Sequence, residues 1–235
     1  DVKADEAVIH KEFHLSSADP HLVGAENSIP VGFTNFMVAD QLADVGMEAI
    51  HPKASKPLEL AGINIRIKNT FEPEHPGTLI TKDYVAEKSR IEIVSGTDKV
   101  LAVEVHDPMM VGEVGFDLRI MKVFEKHGVS YILKSTNANS ITMVIWDKPK
   151  SKALIDELKN VFYQVTVKEV ALVCCMGTNI AHPGFLYKAA KALCDNHINI
   201  ECFAQSLRQV NMQFVICREG YSSAIKALNN ALCVD

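Results

Sequence analysis

Nine histidines and six cysteines are the side chains here best suited to metal or nucleophilic chemistry. His10 and His14 are the only histidines spaced i, i+4. Their segment reads as extended, so a metal site competes there with two exposed alternate positions. Cys174, Cys175, Cys194, Cys202, Cys217 and Cys233 all follow residue 170 without a C-x-x-C pair. Most stand in apolar runs and read as small core residues of a protein in a reducing cytoplasm. No P-loop, G-x-G-x-x-G, H-E-x-x-H or G-x-S-x-G motif is present.

Two loops offer different chemistry. One runs from His106 to Gly115 and includes Met109, Met110, Glu113 and Val114, before Phe116 and Asp117. The other runs from Met176 to Gly184 and includes Asn179, Ile180 and Pro183. Each leads into a predicted helix N-terminus, where free N–H groups and the helix dipole favour a carboxylate. The strands facing them carry Ser130, Ile132, Thr136 and Asn137, then Asn199, Ile200, Gln205 and Ser206. Their amides and hydroxyls suit the orienting of an amino acid, while turn chemistry alone explains the loop glycines equally well.

The elements that position these loops form a repeat offset by 69 residues: Leu101-Ala102-Val103 matches Val170-Ala171-Leu172, and Gly115-Phe116 matches Gly184-Phe185. Phe116, Ile120 and Phe124 share one helical face, as do Phe185, Ala189 and Leu193. Strands are predicted at 129–133 and 140–145, then at 198–202 and 210–215. Final helices are N-capped by Ser151 and Ser222. With a last strand at 161–165, the first unit is a βαββαβ ferredoxin-like fold. The second unit lacks its last strand, and Arg90-Ile91-Glu92-Ile93-Val94 is available to complete it. The first ninety residues read differently: a strand at 7–9, a turn at 16–20, a helix from Phe36 to Ile50 capped by Thr34 or Asn35, a shorter helix after Pro52, and a strand at 63–67. This resembles the tail of an α/β domain.

Composition narrows the classes. There are 24 Lys+Arg against 29 Asp+Glu, a net charge of −5, with 48% hydrophobic and 23% charged residues. That is an ordinary globular balance, unsuited to nucleic acid or an anionic membrane. No apolar run approaches the roughly 20 residues of a spanning helix. The N-terminus has no signal-peptide pattern and no initiator Met, which reads as a piece of a longer, cytoplasmic protein.

Three blocks carry a family resemblance. They are Gly46-Met47-Glu48-Ala49-Ile50-His51-Pro52-Lys53-Ala54, Ile65-Arg66-Ile67-Lys68-Asn69-Thr70-Phe71 and Pro76-Gly77-Thr78-Leu79-Ile80. They resemble the end of the aspartate kinase catalytic domain, and Ser17-Ala18-Asp19-Pro20 resembles the turn that family places near the nucleotide. The repeats, with Pro183-Gly184-Phe185 and Asn199-Ile200-Glu201, resemble tandem ACT domains that sense amino acids. The fold so implied is α/β (α+β): a remnant of an amino-acid-kinase domain over 1–85, a first ACT domain over 86–167 with strand 90–94 donated to the second, and a second ACT domain over 168–235. The whole protein would transfer the γ-phosphoryl of Mg-ATP to the side chain of L-aspartate, giving 4-phospho-L-aspartate. The family's Lys-x-Gly-Gly-Thr-Ser motif is not in this sequence, so this portion alone is expected to be inactive and to hold no catalytic residue.

By the same resemblance, nucleotide contacts fall at His10, Lys11, Ser16, Asp19 and Lys53, while a family lysine is replaced by Glu48. Val38-Ala39-Asp40-Gln41-Leu42 before Gly46 looks like the subgroup associated with ectoine synthesis. Lysine-sensing relatives place an Asp where this sequence has Ile132. An apolar residue cannot compensate an ammonium, so threonine is the more plausible effector. A homodimer through the ACT domains is implied, with effector sites near its interface and signalling through a linker at 82–88. A free-standing regulatory subunit and a purely structural dimerisation module are the rival readings.

Overall fold

A four-stranded sheet and a six-stranded sheet account for the chain, described over residues 4–46 and 50–234 by a computed structural model. The first sheet has the order β1 (Glu6–Lys11), β3 (Asn64–Asn69), β4 (Thr78–Thr81), β2 (Phe33–Asn35). β1 runs parallel to β3, and β2 parallel to β4. A short helix α1 (Pro20–Val23) and the helices α2 (Phe36–Asp44) and α3 (Pro52–Leu60) complete this N-terminal layer. Asn35 begins α2 by accepting from Val38 N–H at 3.1 Å. The helix closes at Asp44, short of the expected Ile50. Val45 is its C-cap and Gly46 follows with φ of +82°. Residues 47–49, which include Glu48, lie outside the described residues. Strands β2 and β4 have three and four residues, too few for an alternating pattern to declare them.

The second sheet has the order β6-β7-β5-β8-β10-β9. Its members are β5 (Ile93–His106), β6 (Tyr131–Thr136), β7 (Ser140–Trp146), β8 (Gln164–Met176), β9 (Cys202–Gln205) and β10 (Asn211–Cys217). The sequence suggests separate strands at 90–94 and 101–103; the structure joins them as β5, with a register shift between Thr97 and Val100. Likewise 161–165 and 170–172 become one strand, β8, and Val161 belongs to the preceding helix. Each long strand serves both repeats. Ile93 and Val94 pair with Met176 and Cys175 beside β10, whereas Val100–His106 pair with β7 on one side and Gln164–Val170 on the other. Residues 90–92 precede the strand. Glu92 N–H donates to the Met176 carbonyl at 2.8 Å, and Arg90 forms an isolated bridge with Asn179.

Four helices cover one side of this sheet: α4 (Phe116–His127), α5 (Pro149–Val161), α6 (Phe185–Asp195) and α7 (Tyr221–Leu232). Alternation along the strands sorts the cores. Val103 and Val105 face α4 and α5 with Phe116, Ile120, Phe124, Leu154 and Leu158. Ala171, Val173 and Cys175 face α6 and α7 with Ala189, Leu193, Phe214, Ile225 and Leu228. The opposite face, through Val100, Val170, Leu172, Cys174 and Met176, packs against Phe36, Val38, Leu42, Ile65 and Ile80 of the N-terminal layer.

Some local expectations shift. Helix α5 begins at Pro149 with Lys148 as N-cap, and the Ser151 hydroxyl instead donates to the Trp146 carbonyl at 2.7 Å. Ser222 lies inside α7, which begins at Tyr221 after a 3-10 turn at Arg218–Gly220. The strand expected at 198–202 forms four residues later, as β9, because Ile198 is held by the helix C-terminus through its N–H to the Leu193 carbonyl. Gly128, with φ of +58°, caps α4 in the left-handed conformation.

The two layers are pinned together by Asn229, fully buried in α7. Its amide donates to the Asn27 carbonyl, and its oxygen accepts from the Ser17 hydroxyl, both at 2.8 Å. Asn229→Ala leaves these buried partners unpaired and is expected to cost about 2 kcal/mol. A urea midpoint equal to that of the wild type would refute this.

Candidate functional site

The residues expected near a nucleotide are not all gathered. His10 and Lys11 end β1. Lys11 lines a cleft of about 1050 Å³ together with His51 and Ala54 of the α3 N-terminus. The far wall belongs to the second sheet and α7, through Thr97, Lys99, Trp146, Lys148 and Tyr221. Lys148 sits over the Trp146 indole at 5.3 Å, and the ring lies so close to Gly46 that a Cβ there would be 2.6 Å from Cη2. The cleft therefore lies between the two layers. His10, Ser16, Asp19 and Lys53 are not among its lining residues. The Ser16 hydroxyl is buried and donates to the Ala18 carbonyl at 2.9 Å. Asp19 caps α1, accepting from His21 N–H. Lys53 is exposed in the first turn of α3, and its N–H donates to His51 Nδ1.

His14 is not one of a pair with His10. It meets Glu72 at 3.0 Å and lies 4.0 Å from the His75 ring. That hydrogen bond holds the Glu72 carboxyl below the usual range. Among the described residues no group of three or more His, Cys, Asp or Glu is placed to hold a metal ion. Cys174 and Cys175 are buried, and burial pushes the Cys174 thiol up to about 12, which suits packing and opposes nucleophilic use.

The first repeat loop is open. Met109 is 76% exposed and Val114 99%, while Met110 turns into the core. Gly115 begins α4 with φ of +87°, where a side chain is strained. Phe116 is buried, Glu113 pairs with Arg119 at 3.2 Å, and Asp117 pairs with Lys134. Lys134 carries no local signal in the sequence, because its strand position faces the helix only once the register of β6 is known. Ser130 is exposed, and Ile132 is half-buried against the apolar face shared with the N-terminal layer.

The second loop is engaged instead. The Asn179 amide donates to the Ala86 carbonyl at 2.8 Å and Ile180 is in the core, while residues 181–184, Pro183 among them, are exposed. Asn199 and Gln205 are exposed, and Ile200 packs beside the α6–α7 core.

Thr136 and Asn137 are brought into a further pocket of about 310 Å³ on the face opposite α4–α7, where edge strands β6 and β9 approach each other. Glu104, Thr142, Thr166 and Lys168 join them there from β5, β7 and β8. Lys168 meets Glu201 at 2.6 Å, and that bond holds its ammonium pKa above the ordinary value. Alternating polar residues on β5 and β8 were the available signal, hidden because their neighbours across the sheet depend on register.

Ferredoxin-like repeats on a shared sheet, backed by an α/β layer, define a tandem ACT arrangement. Residues 173–232 match the ACT domain family model. The chain is 46% identical, over 97% of its length, to aspartate kinase Ask_Ect of Stutzerimonas stutzeri, of which it covers 49%. The aspartate kinase of Clostridium acetobutylicum superposes with a TM-score of 0.86 at 25% identity, over 98% of this chain and 55% of that one. Escherichia coli aspartokinase III, 19% identical and matched over 97% of this chain and 52% of its own, shares the fold. Its TM-score is 0.85 with aspartate and ADP bound and 0.80 with lysine and aspartate. The chain aligns with part of each of these aspartate kinases, and the first match fits the resemblance to the ectoine-associated subgroup. It spans about half the length, or less, of the curated relatives it matches. Among the described residues no helix is long and apolar enough to cross a membrane.

Proposed function

We propose that this chain is the regulatory part of an enzyme that transfers the γ-phosphoryl group of Mg-ATP to the side-chain carboxylate of L-aspartate. The observation that carries the reading is near-complete alignment to an aspartate kinase at 46% identity. The ADP and aspartate held by aspartokinase III support the substrates. The proposal divides the chain at 1–85, 86–167 and 168–235. The cleft beside Lys11 is its nucleotide-side surface, with His10, Ser16, Asp19 and Lys53 as further contacts in the complete enzyme. A reducing, cytoplasmic setting and a homodimer through the ACT units belong to the same reading.

Regulation follows from the open first loop. An amino acid held between Met109 and Asp117, and near Thr136 and Asn137, would favour one arrangement of the units and act through the linker at 82–88. Aspartokinase III binds lysine. Here Ile132 offers no charge to a lysine ammonium, which favours threonine. The same residue also favours a second reading, in which the ACT pair only dimerises.

A thermal-shift panel on this chain with lysine, threonine, methionine, aspartate and Mg-ATP separates these. A ligand at 100 times its Kd adds roughly 2.7 kcal/mol, a shift of roughly 5–10 °C at this size. A threonine shift supports the sensor, a lysine shift refutes the Ile132 argument, and no amino-acid shift favours the dimerisation module. Failure of the full-length protein to form aspartyl phosphate, trapped as hydroxamate, would sink the kinase reading.

A further inference from the structure

Met109 and Thr178 stand 69 positions apart, at the same point of the two repeats. In both, the backbone N–H is held by a carboxylate. Met109 N–H donates to Asp107 Oδ1 at 2.9 Å, two residues back in its own loop. The residue matching Asp107 in the second loop is Met176, apolar and fully buried. Thr178 N–H donates instead to Glu92 Oε2 at 2.6 Å, a side chain from the linker that joins the two layers.

Other contacts fasten the same linker to the same loop. Ala86 N–H donates to the Thr178 hydroxyl at 2.9 Å, and the Asn179 amide returns a bond to the Ala86 carbonyl. A Cβ on Gly177 would lie 2.7 Å from the Arg90 carbonyl, so the approach of the two backbones requires glycine there. Glu92 is 4% exposed, and its Oε1 is buried with no partner among the described residues. A half-satisfied buried carboxylate is costly to keep, and its one bond goes to the loop.

We propose that the second ACT loop is a carboxylate-binding site that the chain fills with its own Glu92, strapping residues 86–92 onto the second unit. The class of ligand that competes for it is a small free carboxylate. The second loop is thereby closed to an effector while the first stays open, and release of the strap frees the connection to the N-terminal layer. This rests on the geometry of the loop and stands whether or not the kinase reading does.

Lys88 and Arg90 are exposed in the strap and report its release as sites for trypsin. In the full chain, Glu92→Ala is expected to speed cleavage after Lys88 and Arg90 about tenfold, the scale of one lost charge-assisted bond. In the wild type formate should speed cleavage by displacing Glu92, where chloride at equal ionic strength does not, and in Glu92→Ala it should add nothing further. Unchanged cleavage, or formate acting no better than chloride, overturns the proposal. Should Glu92→Ala not fold, two variants replace it. Glu92→Gln keeps an acceptor but loses the charge, and Gly177→Ala pushes on the Arg90 carbonyl with the carboxylate intact. Both should be cleaved faster than the wild type, and wild-type rates in both overturn the proposal equally.

Discussion

Gly96→Ala is expected to lower Tm by roughly 6–12 °C, from a loss on the order of 3 kcal/mol. Gly96 lies in β5 opposite Val173 of β8, one residue before Thr97, after which the register shifts and the strand passes from one repeat to the other. A Cβ there would stand 2.1 Å from the Leu172 carbonyl oxygen and 3.0 Å from the Val173 Cα. Both are backbone atoms of a central strand, so no side-chain rotation relieves the contact. The Gly96 carbonyl also accepts from the Tyr221 hydroxyl at 3.0 Å, tying α7 to the same point. Gly32 has open space around its Cβ position and no positive φ, so Gly32→Ala is the control. Equal melting temperatures for the two variants would contradict the steric argument.

Stability should fall steeply in alkali, because the buried thiols resist ionisation. Cys174 and Cys175 are fully buried on opposite faces of β8. Burial pushes Cys174 up to about 12 and Cys175 well above the ordinary thiol value. Cys233 and Tyr221 are likewise raised by burial to about 12. In each case the folded-state pKa lies above the unfolded one. Above pH 9 the unfolded chain therefore binds fewer protons than the folded one, and the stability present below that pH is lost as pH rises towards 12. At pH 10.5 the Cys174 contribution alone is about 2 kcal/mol. Urea midpoints at pH 8 and 10.5 measure the fall, and Cys174→Ala should make it shallower. A midpoint independent of pH over that interval would show that the thiols titrate freely.

Much of the architecture was legible because it rests on local periodicity. Phe116, Ile120 and Phe124, and their repeats at Phe185, Ala189 and Leu193, announce two helices that the fold buries on one side of a sheet. The 69-residue offset places equivalent loops before both. The first loop exposes Met109 and Val114 ahead of the first of these helices. Less was legible of the joins between elements. Nothing local distinguishes two short strands from one long one crossing a bulge, so the patterns of β5 and β8 each read as two strands. β2 and β4 are too short to show a period, and the shift of β9 by four residues follows from the Ile198 bond to the end of α6.

Residue types and spacing alone determined two repeated units, each with a loop before its first helix, and an α/β layer before them. Tertiary structure decided what occupies those loops. Glu92 is separated from Thr178 by 86 residues, and a hydrogen bond across that distance is set by strand register and packing, neither of which is written in local pattern. The same holds for Lys134 beside Asp117 and for Trp146 against Gly46, contacts that exist only once the sheet has been assembled and its faces assigned.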